Sequence, residues 1–467
     1  MLKPRPPIVT ILGHVDHGKT TLLDALRKTD VVSKEAGGIT QSIGASIVTT
    51  KDGRRITFID TPGHAAFTQM RSRGARVCDI AILIVASDDG VKPQTKEAID
   101  IILKENISYL VCLTKTDLPS SDPDGAITQL EKEGILFEGR GGNVPFLKVS
   151  AKKGEGLDAL LEMLILLSDM NDIQADPEGE LDAFVVETRR DRRGSLASVI
   201  VRNGTLSVAK KILADGIESK IKALFDYQDK SVKEILPGEP ALVLGFEKSP
   251  SIGAKITESN GNIPAPCEQK HMASALEVNQ KEPKLNLVVK AQTSGSLEAL
   301  LANLPSDVQV ISCGVGEVIE ADIFTAKSAK DCRVFAFEVK VPHNIERLAD
   351  TEGVKIESFN IIYKLFERIE EILKSGEEEV LGKAQVIASF PFENKKVAGC
   401  KVLQGIVSKN DKFELFRNDK KIGIMKAVSM KKEKKDILEA KQGEEFGIIF
   451  QPQLDFTIGD MVLSVRS

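Results

Sequence analysis

The feature that most constrains the fold is a glycine-rich segment near the start of the chain, between a predicted strand and a predicted helix. Residues 13–20 read Gly-His-Val-Asp-His-Gly-Lys-Thr, which fits the pattern G-x-x-x-x-G-K-[ST]. The apolar run Pro7–Leu12 precedes it, and a helical pattern extends from Thr20 to Lys28. Backbone N–H groups of such a loop surround phosphate at the positive end of the helix. The segment therefore predicts a phosphate-binding turn after a buried strand.

Further apolar runs continue this pattern as far as about residue 170. They are Ile56–Asp60, Ile80–Ala86, Tyr109–Thr114 and Val144–Ser150. Strands that are buried on both faces of a parallel sheet have this nearly continuous apolar composition. Helical segments such as Thr95–Lys104 lie between most of the runs, as they do in α/β folds. The sequence predicts an α/β domain over residues 1–172, with helices on a parallel sheet.

The pattern changes several times in the remainder of the chain. Short strands separated by glycine-containing turns predict a β-barrel over residues 180–265. Mixed strands and helices predict a three-layer α/β domain over residues 283–358. Apolar residues at helical spacing predict a connecting helix at 359–378, and alternating short strands predict a C-terminal β-barrel at 382–467. The predicted fold class is a multidomain α/β protein.

Composition excludes several classes of protein. Lysines and arginines number 63 against 68 acidic residues, so a uniformly basic nucleic-acid binder is not expected and any RNA contact must be local. No apolar stretch reaches the roughly 18 to 20 residues that a membrane-spanning helix needs. The six cysteines form no C-x-x-C pair, which argues against a zinc site or a disulfide framework. We expect a cytoplasmic monomer without membrane contact.

Residues at the predicted strand ends have the chemistry of a magnesium nucleotide site. Lys19 is expected to reach the β- and γ-phosphates, and Thr20 to bind Mg²⁺ through its hydroxyl. Asp60, at a strand tip, can hold the Mg²⁺ shell, and Gly63 can sense the γ-phosphate through its N–H. Thr40 is placed to belong to a mobile loop that closes on the metal and the γ-phosphate. The predicted metal ligands are Thr20, Thr40 and Asp60.

The choice of base is predicted by the segment Thr114-Lys115-Thr116-Asp117, which follows a strand. A carboxylate at Asp117 can accept two N–H donors from guanine, whereas adenine presents the reverse polarity. Ser150-Ala151-Lys152, after the last strand, would close over the base. The predicted cofactors are GTP or GDP with Mg²⁺. The predicted nucleotide-binding residues are Gly13, His14, Val15, Asp16, His17, Gly18, Lys19, Thr20, Thr21, Thr40, Asp60, Gly63, Lys115, Asp117, Ser150, Ala151 and Lys152.

Together these motifs resemble those of the translational GTPases, and further segments resemble the bacterial translation initiation factor two family in particular. Those segments are residues 60–67, 70–75, 88–95, 289–291, 295–300, 314–316, 320–322 and 398–400, with Gly405. The resemblance extends from about Pro7 to the end of the chain. It implies a ribosome-dependent GTPase that promotes binding of formylmethionyl initiator transfer RNA to the small subunit and the joining of the subunits. Hydrolysis of GTP would then release the factor.

The resemblance also implies a catalytic role for His64, which would position the attacking water once the ribosome has reorganised it. The implied partners are both ribosomal subunits, initiator transfer RNA and other initiation factors. Two alternatives stay open at this point. One is another translational GTPase, acting in elongation or ribosome maintenance without specificity for initiator transfer RNA. The other is a nucleotide-binding regulator with negligible hydrolysis.

The sequence departs from the family pattern at several places. Thr114 replaces the usual asparagine, which removes an amide link that braces the phosphate loop, whereas Asp117 preserves guanine selection. The resemblance implies that the last barrel, residues 382–467, binds the formylmethionyl end of initiator transfer RNA. Here the run Met430–Lys435 replaces the family's basic-aromatic strand, with Glu433 near the expected aromatic, and Phe446 stands where a second cysteine is usual. Such a lysine run is either a solvated face or a contact for a single-stranded acceptor end. Many relatives carry a long extension before the GTPase domain, whereas this sequence begins almost at the first strand. We therefore expect weaker anchoring to the small ribosomal subunit.

Overall fold

The computed structural model forms two compact units, Met1–Arg368 and Ile369–Ser467. The residues it describes are 1–29, 44–63, 65–259, 283–375, 380–392, 395–417, 420–432, 435–452 and 454–465. Three residues singled out in the sequence, Thr40, His64 and Glu433, lie outside these ranges. No helix in the described part of the chain is long and apolar enough to cross a membrane.

A six-stranded sheet forms the N-terminal part of the first unit. The strands of this region are β1 (Lys3–Pro4), β2 (Ile8–Gly13), β3 (Gly44–Thr49), β4 (Arg55–Asp60), β5 (Ile80–Ala86), β6 (Ser108–Thr114), β7 (Phe146–Lys148) and β8 (Gln174–Ala175). The strand order is β3-β4-β2-β5-β6-β7, and β1 pairs separately with β8. Only the β3–β4 pair of the six-stranded sheet is antiparallel. The predicted parallel sheet is therefore present, with one antiparallel edge strand.

Helices cover both faces of this sheet, which explains the continuous apolar runs. They are α1 (Lys19–Arg27), α2 (Thr68–Val77), α3 (Pro93–Lys104), α4 (Pro123–Lys132) and α5 (Leu157–Met170), and a 3₁₀ turn at Ala65–Phe67 precedes α2. In β5, Ile80, Ile82 and Ile84 pack with α1 and α5, whereas the intervening Leu83 and Val85 pack with α3 and α4. Successive strand side chains point to opposite faces. Every residue of β5 is therefore buried.

The next part of the first unit is a curved antiparallel sheet around one apolar core. Its order is β13-β12-β18-β9-β10-β17-β14-β15, with β11 and β16 paired beside it. These strands are β9 (Asp182–Asp191), β10 (Gly194–Asn203), β11 (Leu206–Ser207), β12 (Lys211–Ala214), β13 (Ile217–Lys220), β14 (Ala223–Phe225), β15 (Ser231–Val232), β16 (Glu234–Ile235), β17 (Pro240–Leu244) and β18 (Lys255–Glu258).

A second parallel sheet, in the order β20-β19-β21-β22, completes the first unit. Its elements are β19 (Leu285–Ala291), α6 (Ser294–Ala302), β20 (Val308–Val315), α7 (Glu320–Ser328), β21 (Cys332–Phe337), α8 (His343–Glu352) and β22 (Lys355–Phe359). Apolar residues of α7 and α8 pack against Val288, Val334 and Ala336. Helix α9 (Ile362–Ser375) follows, and its residues Ile362, Leu365 and Ile369 are buried at helical spacing.

The second unit contains a closed antiparallel barrel. Its strands are β23 (Val380–Phe392), β24 (Lys395–Ser408), β25 (Lys412–Arg417), β26 (Lys420–Lys432), β27 (Lys435–Asp436), β28 (Glu439–Lys441), β29 (Glu445–Gln451) and β30 (Met461–Val465). Six of them follow the order β23-β30-β25-β26-β29-β24, and pairing of β23 with β24 closes the ring. Closure leaves no open sheet edge in the ring. The predicted fold class, a parallel α/β domain with β-barrels and a further α/β part, is confirmed.

A buried ion pair fastens the start of the chain to the first sheet. The Arg5 guanidinium donates to both carboxylate oxygens of Asp79 at 2.7 Å, and the Ile8 N–H donates to the same carboxylate at 2.8 Å. Both charged side chains are only 7% exposed. Arg202 of the curved sheet lies 3.7 Å from Asp79, so the contact also brings that sheet near β2. Removing one member of such a pair leaves the other charge buried and unpaired.

We therefore predict that Asp79→Ala lowers the free energy of unfolding by about 3 to 5 kcal/mol, because the Arg5 charge loses its carboxylate. Urea titration followed by circular dichroism measures this change. Asp158→Ala is the matched control, since Asp158 forms an exposed ion pair with Lys51 and its loss should cost less than about 1 kcal/mol. Equal losses in the two variants would contradict the assignment.

Candidate nucleotide-binding site

The phosphate loop connects β2 to α1 in a conformation that requires glycine at two positions. Gly13 has φ 154°, and a Cβ there would lie 2.5 Å from the carbonyl oxygen of Ile84 in β5. Gly18, with φ 88°, directly precedes the first residue of α1. Glycine adopts such conformations without steric cost, and its small size lets the loop pack directly on the neighbouring strand. The predicted turn at the carboxyl end of a buried strand is thus formed.

Lys19 lies at the centre of the loop and is 7% exposed. Its ammonium donates to the carbonyl oxygens of Gly13 at 3.1 Å and His14 at 2.5 Å. Burial lowers the pKa of Lys19 to about 8, and the nearby Asp60 carboxylate opposes that effect. A side chain at Gly63 would overlap the ammonium. The structure therefore brings Lys19, Asp60 and Gly63 together.

The proposed metal ligands that the structure describes supply only oxygen atoms. Asp60 is the last residue of β4 and is 5% exposed, and Thr20 is the second residue of α1. The hydroxyl of the adjacent Thr61 donates to the Ile11 carbonyl at 2.7 Å, which holds the chain after β4 against β2. A carboxylate and a hydroxyl are ligands that suit Mg²⁺. The donor chemistry therefore fits the predicted ion.

Another cluster, His14, His17 and Asp89, has ligand-type atoms within 4.8 Å of one another. The Ala86 N–H donates to Nδ1 of His17 at 3.3 Å, so the proton of the neutral ring is on Nε2, which lies 3.4 Å from Asp89 Oδ2. Burial lowers the pKa of His17 to about 4. A protonated nitrogen cannot ligate a metal, so this group is a hydrogen-bonded support of the phosphate loop.

The two segments predicted to contact the base meet through a hydrogen bond. The Ser150 hydroxyl donates to Asp117 Oδ1 at 2.8 Å, and this bond lowers the pKa of the Asp117 carboxyl below its ordinary value. The Lys153 N–H donates in turn to the Ser150 hydroxyl at 3.2 Å. Lys115 adopts φ 56° and lies 3.8 Å from Asp88. Asp117 is thus kept ionised and oriented next to the segment containing Ala151 and Lys152.

Helix α2, which follows Gly63, contains a buried arginine, Arg71, that the sequence analysis did not identify as a functional residue. Arg71 is 1% exposed, donates to the Pro62 carbonyl at 3.1 Å and pairs with Glu97 of α3. The signal was available, because Arg71 lies at helical spacing from the apolar Phe67 and Gly74. An arginine in an apolar stripe predicts a buried charge with a fixed partner.

The same helix contacts the second parallel sheet. Arg73 pairs with Glu298 of α6 at 2.5 Å. Gly295 of α6 packs so closely against the side-chain ends of Met70 and Glu187 that a Cβ at this position would displace them. Glu187 of β9 accepts the N–H of Gly295 at 3.1 Å, and burial raises the pKa of Glu187 to about 7. The six-stranded-sheet region, the curved sheet and the second α/β region of the first unit therefore meet at Gly295.

Comparisons with known proteins agree with this architecture. The family model of the elongation factor Tu GTP-binding domain matches residues 5–169, and that of elongation factor G domain 2 matches residues 180–259. The model of translation-initiation factor 2 matches residues 265–370. These matches cover the first sheet, the curved sheet and the second parallel sheet in turn.

Translation initiation factor IF-2 of Caldanaerobacter subterraneus subsp. tengcongensis is 39% identical over 99% of this chain and 69% of that protein. The chain belongs to the translation initiation factor IF-2 family. IF-2 of Thermoanaerobacter sp. strain X514 is also 39% identical, over 99% of this chain and 71% of that protein. The crystal structure of GDP-bound aIF5B from Aeropyrum pernix covers 99% of this chain and 92% of that chain, with 26% identity and a TM-score of 0.48. The predictions of a translation initiation GTPase and of guanine-nucleotide binding are confirmed by this membership.

Thr114 is the residue at which the sequence predicts the loss of an amide link that braces the phosphate loop. Its hydroxyl donates to the carbonyl oxygen of His17 at 2.6 Å, and the side chain is 2% exposed. The amide link is absent, but a hydroxyl link from the end of β6 replaces it. The shorter side chain can make this contact because β6 ends directly beside the loop.

The structure describes most of the residues at which the sequence predicts a departure from the family pattern in the last barrel. Phe446 of β29 lies directly opposite Cys400 of β24, and both are buried in the barrel core. In the lysine run, Lys432 pairs with Glu444 at 2.8 Å and Lys431 lies 3.8 Å from Asp436. An aromatic ring therefore fills the core opposite Cys400, and acidic neighbours offset part of the positive charge of the run.

Nucleotide affinity should depend on pH through Lys19, which has a pKa of about 8 in this structure. Bound phosphate raises that pKa, so binding takes up a proton above pH 8 and affinity falls by up to about tenfold per pH unit. Calorimetric titration with GDP in two buffers of different ionisation enthalpy measures the uptake. It should approach one proton at pH 9 and be small at pH 7, which serves as the internal control. Absence of uptake at pH 9 would contradict the lowered pKa.

Thr114→Val should weaken GDP and GTP binding by about tenfold, because it leaves the buried carbonyl of His17 without this donor. Thr114→Ser is the control, since serine keeps the hydroxyl. Titration with fluorescent nucleotide measures both variants. Equal affinities for the valine variant and the unmodified chain would show that the hydroxyl does not brace the loop.

Proposed function

We propose that this chain, in its GTP form, promotes binding of formylmethionyl initiator transfer RNA to the small ribosomal subunit and the joining of the subunits. Hydrolysis of GTP then releases it from the ribosome. We further propose that it acts as a cytoplasmic monomer. The observation that carries the proposal is similarity to IF-2 over 99% of the chain, which includes the last barrel as well as the nucleotide site.

Nucleotide recognition, in this proposal, begins with the contacts already formed in the first sheet. The loop N–H groups and Lys19 bind the phosphates, and Asp117, oriented by Ser150, accepts the N–H donors of guanine. Thr20, Asp60 and Thr40 are proposed to hold Mg²⁺, which neutralises charge on the β- and γ-phosphate oxygens when bound. Gly63 donates its N–H to the γ-phosphate, so only GTP engages the segment before α2.

Hydrolysis depends mainly on positioning and on charge stabilisation, because phosphoryl transfer has a loose transition state. We propose that His64, directly after Gly63, orients the attacking water when the ribosome is bound. A partner that completes such a site accelerates turnover by roughly 10³ to 10⁵. This assignment makes the ribosome the activator of hydrolysis and leaves the free protein slow.

A second candidate is a translational GTPase without specificity for initiator transfer RNA. Two observations favour it: Phe446 fills the barrel core opposite Cys400, and Lys432 is already paired with Glu444. Both reduce the resemblance of this barrel to one that holds a formylmethionyl group. The nucleotide chemistry is the same for the two candidates, so only the choice of transfer RNA separates them.

The decisive measurement is binding of the purified chain, with a non-hydrolysable GTP analogue, to three transfer RNAs on small subunits. These are formylated initiator, unformylated initiator and an elongator, each carrying its amino acid. We expect at least about a tenfold preference for the formylated initiator, equivalent to roughly 1.4 kcal/mol. Equal binding of all three would contradict initiator recognition and support the second candidate.

His64→Ala is a matched control that separates binding from hydrolysis, with transfer RNA binding measured in the presence of the analogue and turnover measured separately with GTP on ribosomes. The variant should keep the preference for formylated initiator, whereas ribosome-stimulated turnover should fall by roughly 10³. If turnover on the ribosome were unchanged, the catalytic role of His64 would be wrong.

A further inference from the structure

Arg71 has the largest fully buried side chain among the described residues. A guanidinium in this position loses its hydration, which destabilises the protein unless the charge is paired and hydrogen-bonded. The residue belongs to α2, the helix that begins five residues after Gly63. Its contacts therefore show which part of the protein the buried charge organises.

The charge of Arg71 is balanced by Glu97 of α3. Nη2 lies 2.7 and 2.9 Å from the two carboxylate oxygens and also donates to the Thr68 hydroxyl at 3.0 Å. The other terminal nitrogen, Nη1, donates to the carbonyl oxygen of Pro62 at 3.1 Å. The bond to Pro62 is not needed to neutralise the charge, because Glu97 already does so. Its effect is on the peptide that contains the Pro62 carbonyl.

That effect follows from the geometry of the peptide bond. The carbonyl of Pro62 and the N–H of Gly63 belong to one planar unit, and in a trans peptide they point in opposite directions. A donor that fixes the carbonyl on the α2 side therefore directs the Gly63 N–H away from α2. Gly63 itself lies against Lys19 and Val15 of the phosphate loop.

We propose that Arg71 is a positioning residue that sets the orientation of the Pro62–Gly63 peptide and thereby the preference for GTP over GDP. The inference rests on the γ-phosphate contact of Gly63 proposed above. GDP has no γ-phosphate, so its binding does not require that orientation. In this proposal Arg71 acts through the peptide and is not itself a ligand of the phosphates.

Substitution of Arg71 by lysine separates the charge of the side chain from its hydrogen-bonding geometry. Arginine presents separate N–H groups on a rigid fork, which here bond the carboxylate and the carbonyl at once. Lysine keeps the positive charge that Glu97 requires, but its single ammonium cannot reproduce the fork. Arg71→Lys therefore preserves the ion pair and removes the fixed orientation of the peptide.

The test measures the affinities of the full chain for GDP and for a non-hydrolysable GTP analogue by titration with fluorescent nucleotide. Arg71→Lys should weaken the GTP analogue by about tenfold and change GDP by less than about twofold, as expected for loss of one charge-assisted hydrogen bond. Parallel weakening of both nucleotides, or no change in either, would overturn the proposal. Arg71→Ala should show the same split, and added guanidinium ion, but not methylammonium, should restore the GTP affinity.

Arg76→Lys is the matched control on the same helix, because Arg76 pairs with Glu105 at 3.1 Å on the exposed side of α2. It should leave both affinities unchanged. Comparison of Gly63→Pro with Gly63→Ala separates the possible failures, because both variants add a Cβ beside Lys19 and only proline removes the N–H. Equal ratios of GTP to GDP affinity in these two variants would contradict the γ-phosphate role of the Gly63 N–H. A lower ratio in Gly63→Pro than in Gly63→Ala, with no change in Arg71→Lys, would contradict the role of Arg71 alone.

Discussion

Parallel hydrogen bonding of β5 to β2 on one side and to β6 on the other supports the whole nucleotide site. The register runs without a break from Val9 opposite Ile80 to Gly13 opposite Ile84, and β6 pairs in step as far as Thr114. Because the strands are parallel and in step, their carboxyl ends meet at one edge of the sheet. The phosphate loop, the Ala86 N–H that holds His17 and the Thr114 hydroxyl are consequently neighbours. Burial on both faces fixes this arrangement.

Helix α2 connects this edge of the sheet to the rest of the first unit. On one side Arg71 joins it to Glu97 and to the chain before Gly63, and on the other Arg73 joins it to Glu298 of α6. Protein interiors are close-packed, so a shift of the Asp60–Gly63 segment cannot be absorbed by empty space around the helix. A change at the phosphate site therefore has a direct mechanical connection to the second parallel sheet.

Individual turns, strands and helices could be predicted from the sequence, because motifs and apolar periodicity depend on neighbouring residues. The turn at Gly13–Lys19 and strand β5 follow from them, and α3 begins only two residues before its predicted start because proline is accepted in the first turn of a helix. The pairing of Arg71 with Glu97 could not be predicted, since it depends on how two helices pack.

Two further findings show the same limit. The Thr114 hydroxyl bond depends on where the His17 carbonyl lies in space, and reasoning from the lost amide alone missed it. The position of Phe446 opposite Cys400 depends on the register of β24 with β29. A shift of one residue in that register would turn every side chain of the shifted strand to the other face of the sheet, and the amino-acid composition of the strands does not determine the register.

The hydrogen bonds of Lys19 have a consequence for how a nucleotide enters. The ammonium has three N–H donors, and the Gly13 and His14 carbonyls accept two of them, so the third can bond the phosphate proposed to bind here without displacing either carbonyl. These two bonds hold the long lysine side chain in place before a ligand arrives, so binding does not have to order it. The backbone of the loop therefore preorganises the charge that the nucleotide is proposed to meet.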